Sequence, residues 1–342
     1  MEKNEFLVEK NKKFALLALS ESWIDRKLPE AINLQSDFWI SRKFPFQFDK
    51  DWKEWLGTFQ IEEIEDASLF VAIKKHSDSA ESQNNENEEL KENLRFFLSG
   101  IYLTGFCHFT KRNFILTGSN YQGKPDIQSI SPEDPIIRTN GAPIDAISFE
   151  RLEKALKIAK ALKQVEVSRK NGDFKRIVRA LHAYYSGLHA NDLGEKVHQF
   201  VRSIEGFILP ESGNTRKQFS SRTELFLGNK SVNYSQIIYD YRCDVEHLHG
   251  PFYSETGGPN KENRLQRHKQ ILETEAIARY CLSNLLLNKN IWPCFIDDIQ
   301  IKIFWKPENN IKRRDIWGPP MDLRHVSSKI RMNEIRESDL ML

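Results

Sequence analysis

One stretch of the chain, Tyr239-Asp-Tyr-Arg-Cys-Asp-Val-Glu-His-Leu-His-Gly250, gathers an arginine, a thiol, three carboxylates and two imidazoles within twelve residues. These groups are equipped for anion binding, proton transfer and metal ligation. A guanidinium is a planar bidentate donor, and an imidazole changes charge near neutrality. On an ideal helix Ile238, Tyr241, Val245 and Leu248 share one face, which must be core. Arg242 sits at the margin of that face. His249 falls about 20° from Arg242 and His247 about 140° from it, at 3.6 residues per turn. Both histidines precede Gly250, where the negative end of a helix dipole favours imidazolium. Three plainer roles fit the same residues. Arg242 and Glu246 have the i,i+4 spacing of a surface ion pair. The histidines suit a helix C-terminal cap. Cys243 and His247 supply half a zinc site, but no second Cys/His pair stands at ligand spacing, and no metal is expected.

The elements that must position this segment read as helical. Phe149, Leu152, Leu156, Ala159 and Leu162 form one apolar stripe. Asp173 is a good N-cap for a helix carrying Phe174, Ile177, Val178, Leu181 and Leu188. Asp192 with Glu195 fits a capping box opening a third helix through Val197, Val201, Ile204 and Ile208, ended by Pro210. A fourth is expected from about Thr215 to Leu227, a fifth from about Ser235 to His249 and a sixth from about Glu262 to Leu287. No fixed-period repeat is present.

The first half reads as mixed. Ser68–Ile73 is a short β-like run, and Ser77–Asn87 is polar enough to be a flexible loop. Phe106–Phe109 and Phe114–Thr117 flank a plausible hairpin, and a turn at Gly118–Gly123 precedes Ile127–Ile130. Pro132, Pro135, Gly141 and Pro143 place a domain boundary there. The expected fold is an α+β N-terminal domain, 1–145, followed by an all-α helical bundle, 146–342.

Length and composition are those of about two globular domains, with 342 residues and 39% hydrophobic. The net charge of +2 hides a split. Residues 1–150 carry 18 basic and 25 acidic side chains, a balance of −7, and residues 151–342 carry 32 and 23, a balance of +9. That asymmetry fits an anionic partner for the second half, and on charge alone it fits a solvated mixed-charge surface better. Arg216, Lys217 and Arg222, with Arg264 and Arg267, are the candidates to track a phosphate backbone, each also readable as a solvated charge. Phe252 and Tyr253, just past the motif, suit stacking on an unpaired base or anchoring a loop. Ile311–Trp317 is another cationic stretch, or a tail that packs Trp317 on the domain.

The start lacks the apolar core of a secretory signal, and no run is long and apolar enough to span a membrane. Cys107, Cys243, Cys281 and Cys294 are scattered, so reduced thiols and a cytoplasmic location are expected. His182, His189 and His198 read as surface or packing residues. Gly228-Asn229-Lys230-Ser231 lacks the rest of a P-loop, and no G-x-S-x-G elbow occurs, so nucleotide hydrolysis and acyl transfer lack support.

Arg242 followed by His247 matches the R-x4-6-H signature of the HEPN family, and so does Arg242 with His249. The order Ile204-Glu-Gly-Phe-Ile-Leu209, then Phe219–Gly228, then Ile238-Tyr-Asp-Tyr-Arg242 resembles the ApeA-like branch of that family over roughly residues 150–290. In that branch the histidine stands directly before the glycine, four residues after the arginine. Here the register splits between His247 and His249. The resemblance implies metal-independent RNA cleavage by a homodimer without cofactor, with Arg242 and a histidine catalytic. The alternative, since the family also contains members that have lost catalysis, is a dimerising module that binds nucleotide or protein. A nuclease of this kind would be a toxin or anti-phage effector, with the N-terminal half as sensor, taking a regulatory protein or ligand.

Overall fold

The computed structural model describes residues 12–21, 23–77, 85–109, 111–120, 125–136, 138–228, 232–247 and 261–336. They form two compact units, the first Met1–Ile136 with Ile144–Lys160 and the second Ile137–Pro143 with Ala161–Leu342. The division falls inside a long helix rather than at the expected 145/146 boundary.

The first unit holds strands β1 (Lys12–Leu19), β2 (Ala31–Gln35), β3 (Phe38–Ser41), β4 (Leu69–His76), β5 (Asn113–Asn120) and β6 (Asp126–Glu133). They make one antiparallel sheet in the order β2-β3-β4-β1-β5-β6. β1 is apolar on both faces because both are covered. Phe14, Leu16 and Ala18 join Phe70, Ala72, Phe114 and Leu116 beneath α1 (Lys50–Glu65), a helix broken at Gly57, and beneath Phe44, Phe46 and Phe48. The alternate residues face α2 (Asn85–Thr104), which packs on β1, β4 and β5.

Two expectations change here. Phe114–Thr117 lies in β5, but its partners are β1 and β6, so the expected hairpin with Phe106–Phe109 does not form. Phe109 makes only an isolated bridge to Glu21. The expected loop over Ser77–Asn87 ends early, because α2 starts at Asn85 and buries Asn87, whose side-chain amide donates to Gln128.

α3 (Phe149–Lys170) begins in this unit, where Arg151 is 7% exposed. Its guanidinium donates to the carbonyls of Ile101, Gly105 and Phe106 at 3.1–3.3 Å and to that of Asp145. It also reaches Thr104 Oγ1 and Cys107 Sγ, each at 3.1 Å. Asp145 in turn accepts from the Phe106 amide at 3.0 Å.

The second unit is helical. The rest of α3 is followed by α4 (Lys175–His189), α5 (Leu193–Ile208), α6 (Thr215–Leu227), α7 (Val232–Glu246) and α8 (Lys261–Leu287). Three short helices come next, α9 (Asp298–Phe304), α10 (Asn310–Trp317) and α11 (Leu323–Lys329). α5 is central, packing on α4, α7 and α8. Asp192 caps it by accepting from the Glu195 amide at 2.7 Å, although the Glu195 side chain bonds Gln199 instead of closing a box. The expected cap at Asp173 shifts by one residue. Phe174 takes the N-cap position of α4 in the left-handed region, φ 53°, with its amide bonded to Ile296 O. Phe207, Phe226, Phe295 and Trp317 form an aromatic core, so Trp317 does pack on the domain.

Lys196, on α5, is 3% exposed, a costly burial for a charged side chain. Its ammonium lies under the end of α4, donating to Gly187 O at 3.3 Å and Leu188 O at 3.5 Å. Burial pulls its pKa from 10.5 down to about 8, with Glu275 pulling the other way. Between those values the unfolded chain holds a proton that the folded chain has released, so stability rises with pH. Urea unfolding should show wild type gaining about 2 kcal/mol from pH 8 to pH 10 relative to Lys196→Met. Parallel pH curves for the two proteins would mean that Lys196 is not desolvated.

Candidate functional site

Arg242 lies on the last turns of α7, where that helix packs against α5. Its side chain is 17% exposed and meets two carboxylates. Glu246, one turn on, grips the guanidinium through both oxygens, at 2.5 and 3.3 Å. Glu205, from α5, approaches to 3.9 Å and is as buried as the arginine. The Tyr239 ring lies 5.8 Å from the guanidinium carbon. The expected Arg242–Glu246 ion pair is therefore present, but inside a larger arrangement.

Its electrostatics are strained in a specific way. Burial pushes the Glu205 carboxyl up, and Arg242 pulls it back only in part. Burial likewise disfavours the charged arginine, and Glu205, Glu246, Cys243 and Tyr239 together more than offset that cost. Arg242 Nε and Glu205 Oε1 are buried without a hydrogen-bond partner among the described residues.

Glu195, His198, Arg202 and Glu205 recur along α5 at spacings of three and four, which places them on one face. Burial lowers the pKa of His198, Glu195 raises it, and Arg242 lowers it further. His198 thus shares the field of Arg242. From sequence it read, with His182 and His189, as a surface or packing residue. The signal was the i, i+3, i+7, i+10 polar stripe on a helix whose other face is apolar.

Gly206 lets α4 and α5 approach closely. A Cβ there would lie 2.5 Å from Ala180 Cβ, so the residue beside Glu205 must be glycine at this helix separation.

His247 is exposed just past α7, with its amide bonded to Cys243 O at 3.0 Å. His249, Phe252 and Tyr253 lie outside the described residues. The basic candidates fall in different settings. Arg216 and Lys217 are exposed in the first turn of α6, Arg216 paired with Asp240 at 2.5 Å. Arg222 turns inward, donating to Ile208 O and Leu209 O at 2.7 and 3.0 Å and lying 5.4 Å from the Trp305 ring. Arg267 lies 5.6 Å from the Tyr241 ring. Arg264 is half-buried in the first turn of α8. Asp240 and Arg242 are two residues apart, about 200° round α7, so the Arg216 pair and the Arg242 pair lie on opposite sides of that helix.

Among the described residues no group of three or more His, Cys, Asp or Glu side chains is placed to hold a metal ion, and no helix is long and apolar enough to cross a membrane. The chain matches no family model, no curated protein and no solved structure.

Proposed function

We propose that the chain is an endoribonuclease of HEPN type, acting as a homodimer through its helical unit. The observation that carries this reading is the state of Arg242. A guanidinium at the junction of two helices, 17% exposed and facing the half-buried Glu205, supports this reading as the group that would meet a phosphate. Glu246 is the more exposed of its two carboxylates, at 39%, and is the one an incoming phosphate displaces.

The ribose 2′-oxygen attacks the adjacent phosphorus, a base takes the 2′ proton, and an acid protonates the departing 5′-oxygen. The bonds made and broken leave a 2′,3′-cyclic phosphate and a 5′-hydroxyl. Arg242 stabilises charge on the non-bridging oxygens. His247 or His249 serves as acid or base, and a second copy of the chain supplies the other proton-transfer group.

The test is cleavage of RNA by the purified full chain in EDTA, with the product ends determined. Wild type is expected to give cyclic-phosphate ends without added metal. His247→Ala and His249→Ala resolve the register, since only the catalytic one abolishes cleavage. A dimeric wild type that leaves every RNA intact sinks the proposal.

The second reading is a non-catalytic HEPN module that dimerises and binds nucleotide or protein. It is favoured by the bidentate Glu246 contact, which occupies both terminal nitrogens of Arg242. Persistent dimerisation without cleavage would select it.

A further inference from the structure

In the first unit, α1 holds two aromatic rings largely in solvent. Trp55 is 71% exposed and Phe59 73%. Scattered apolar residues on a surface are ordinary, but a Trp and a Phe this exposed and four residues apart mark a contact surface. Gly57, between them, has φ 76° and ψ 162° and breaks the helix, although a Cβ there would meet nothing within 4 Å. Packing does not call for the glycine; the backbone does, because almost no other residue adopts that conformation. Trp52 packs against the buried core, and its indole donates to Ile127 O at 3.1 Å. Trp55 lies edge-on to Trp52, with ring centroids 5.4 Å apart. A ring propped in this way loses little freedom when a partner covers it, as aromatic anchors of protein interfaces do.

The charge around the rings says what kind of partner fits. Residues 54–73 contain five acids, Glu54, Glu62, Glu63, Glu65 and Asp66, and no lysine or arginine. Glu62 and Glu63 follow Phe59 by three and four residues, which places them on its face of the helix. Glu54 is paired with Lys50 at 3.3 Å and Asp66 with Lys111 at 3.5 Å. Glu62, Glu63 and Glu65 have no ion-pair partner among the described residues. An apolar patch beside unpaired carboxylates is complementary to apolar groups that carry cations with them. It repels nucleic acid and anionic lipid.

We propose that this face of α1 docks a basic amphipathic segment of a partner protein. Its apolar side chains cover Trp55 and Phe59, and its lysines or arginines meet Glu62 and Glu63. A guanidinium or ammonium laid on the Trp55 ring adds a cation–π contact. The surface belongs to the first unit and stands without the nuclease reading.

Fluorescence anisotropy of the full chain with two labelled helical peptides of about 18 residues, or five turns, tests it. Both peptides have a leucine face; the opposite face is lysine in one and glutamate in the other. The lysine peptide is expected to bind at least about tenfold more tightly, and to weaken as salt rises. Trp55→Ala and Phe59→Ala should each weaken it at least about tenfold, the scale of an interface anchor. Glu62→Gln combined with Glu63→Gln should weaken it about three- to tenfold and flatten the salt dependence. Rings this exposed add little to the fold, so every variant should melt within about 2 °C of wild type. Ile311→Ala, which removes an exposed apolar side chain of the second unit, should leave binding unchanged. No binding of the lysine peptide by folded protein at about 1 mM, equal binding of the two peptides, or lysine-peptide affinity untouched by both ring variants overturns the proposal. A wild-type dimer that Trp55→Ala converts to monomer assigns the face to a second copy of the chain and overturns it too.

Discussion

Arg242→Ala is expected to lower RNA cleavage by about 10²- to 10³-fold or more, the scale on which loss of a single donor to a transition-state oxyanion acts. The reason is positional as well as electrostatic. α5 supplies Glu205 and α7 supplies Glu246, so the guanidinium is fixed before substrate arrives. Arg242→Lys should recover little, because an ammonium cannot reproduce two parallel N–H donors. Glu205→Gln should fall between, keeping a polar contact but losing the charge that orients Arg242. Single-turnover rates on a uniform RNA, with dimer content checked by light scattering, read all three. A rate within threefold of wild type for Arg242→Ala would remove the arginine from the mechanism.

Trp317→Ala is expected to cost about 3–5 kcal/mol, the usual range for deleting a buried aromatic ring. The residue is fully buried, 4.7 Å from Phe226 between ring centroids, and also near Phe207, Phe295 and Tyr280. For a helical unit of this size that corresponds to a fall of about 10 °C in melting temperature. Trp317→Phe should cost less, since it keeps a ring in the core and the indole N–H has no hydrogen-bond partner among the described residues. Scanning calorimetry would show whether only one of two transitions moves. A loss below about 1 kcal/mol would mean that the segment after α8 lies on the unit without completing its core.

The helices of the second half were legible because their apolar residues recur at three and four and their ends carry caps. α6 begins and ends where the spacing puts it, and Asp192 caps α5 as expected. The sheet was harder. β1 reads Lys-Lys-Phe-Ala-Leu-Leu-Ala-Leu without alternation, because α1 and α2 cover opposite faces and neither side needs polar residues. α2 was hidden by its opening Asn-Glu-Asn-Glu-Glu, which has the composition of a loop although it opens a helix and buries Asn87. The hairpin failed for another reason: β5 is flanked by β1, nearly a hundred residues earlier, and such pairing leaves no local trace. At the candidate site Arg242 was visible by its spacing. Its approach to Glu205, 37 residues earlier on another helix, leaves no local trace in the sequence.

The Arg151 clasp bears on how the first unit comes apart. One guanidinium gathers carbonyls from the end of α2, the turn after it and Asp145, while Asp145 returns a bond to the Phe106 amide. These contacts span over forty residues of chain, and none can open without exposing the same buried charge. The end of α2, residues 105–107 and the start of α3 should therefore exchange their amide hydrogens as a single cooperative unit, with one shared opening free energy. In Arg151→Met the three segments would exchange independently, each with its own, lower protection.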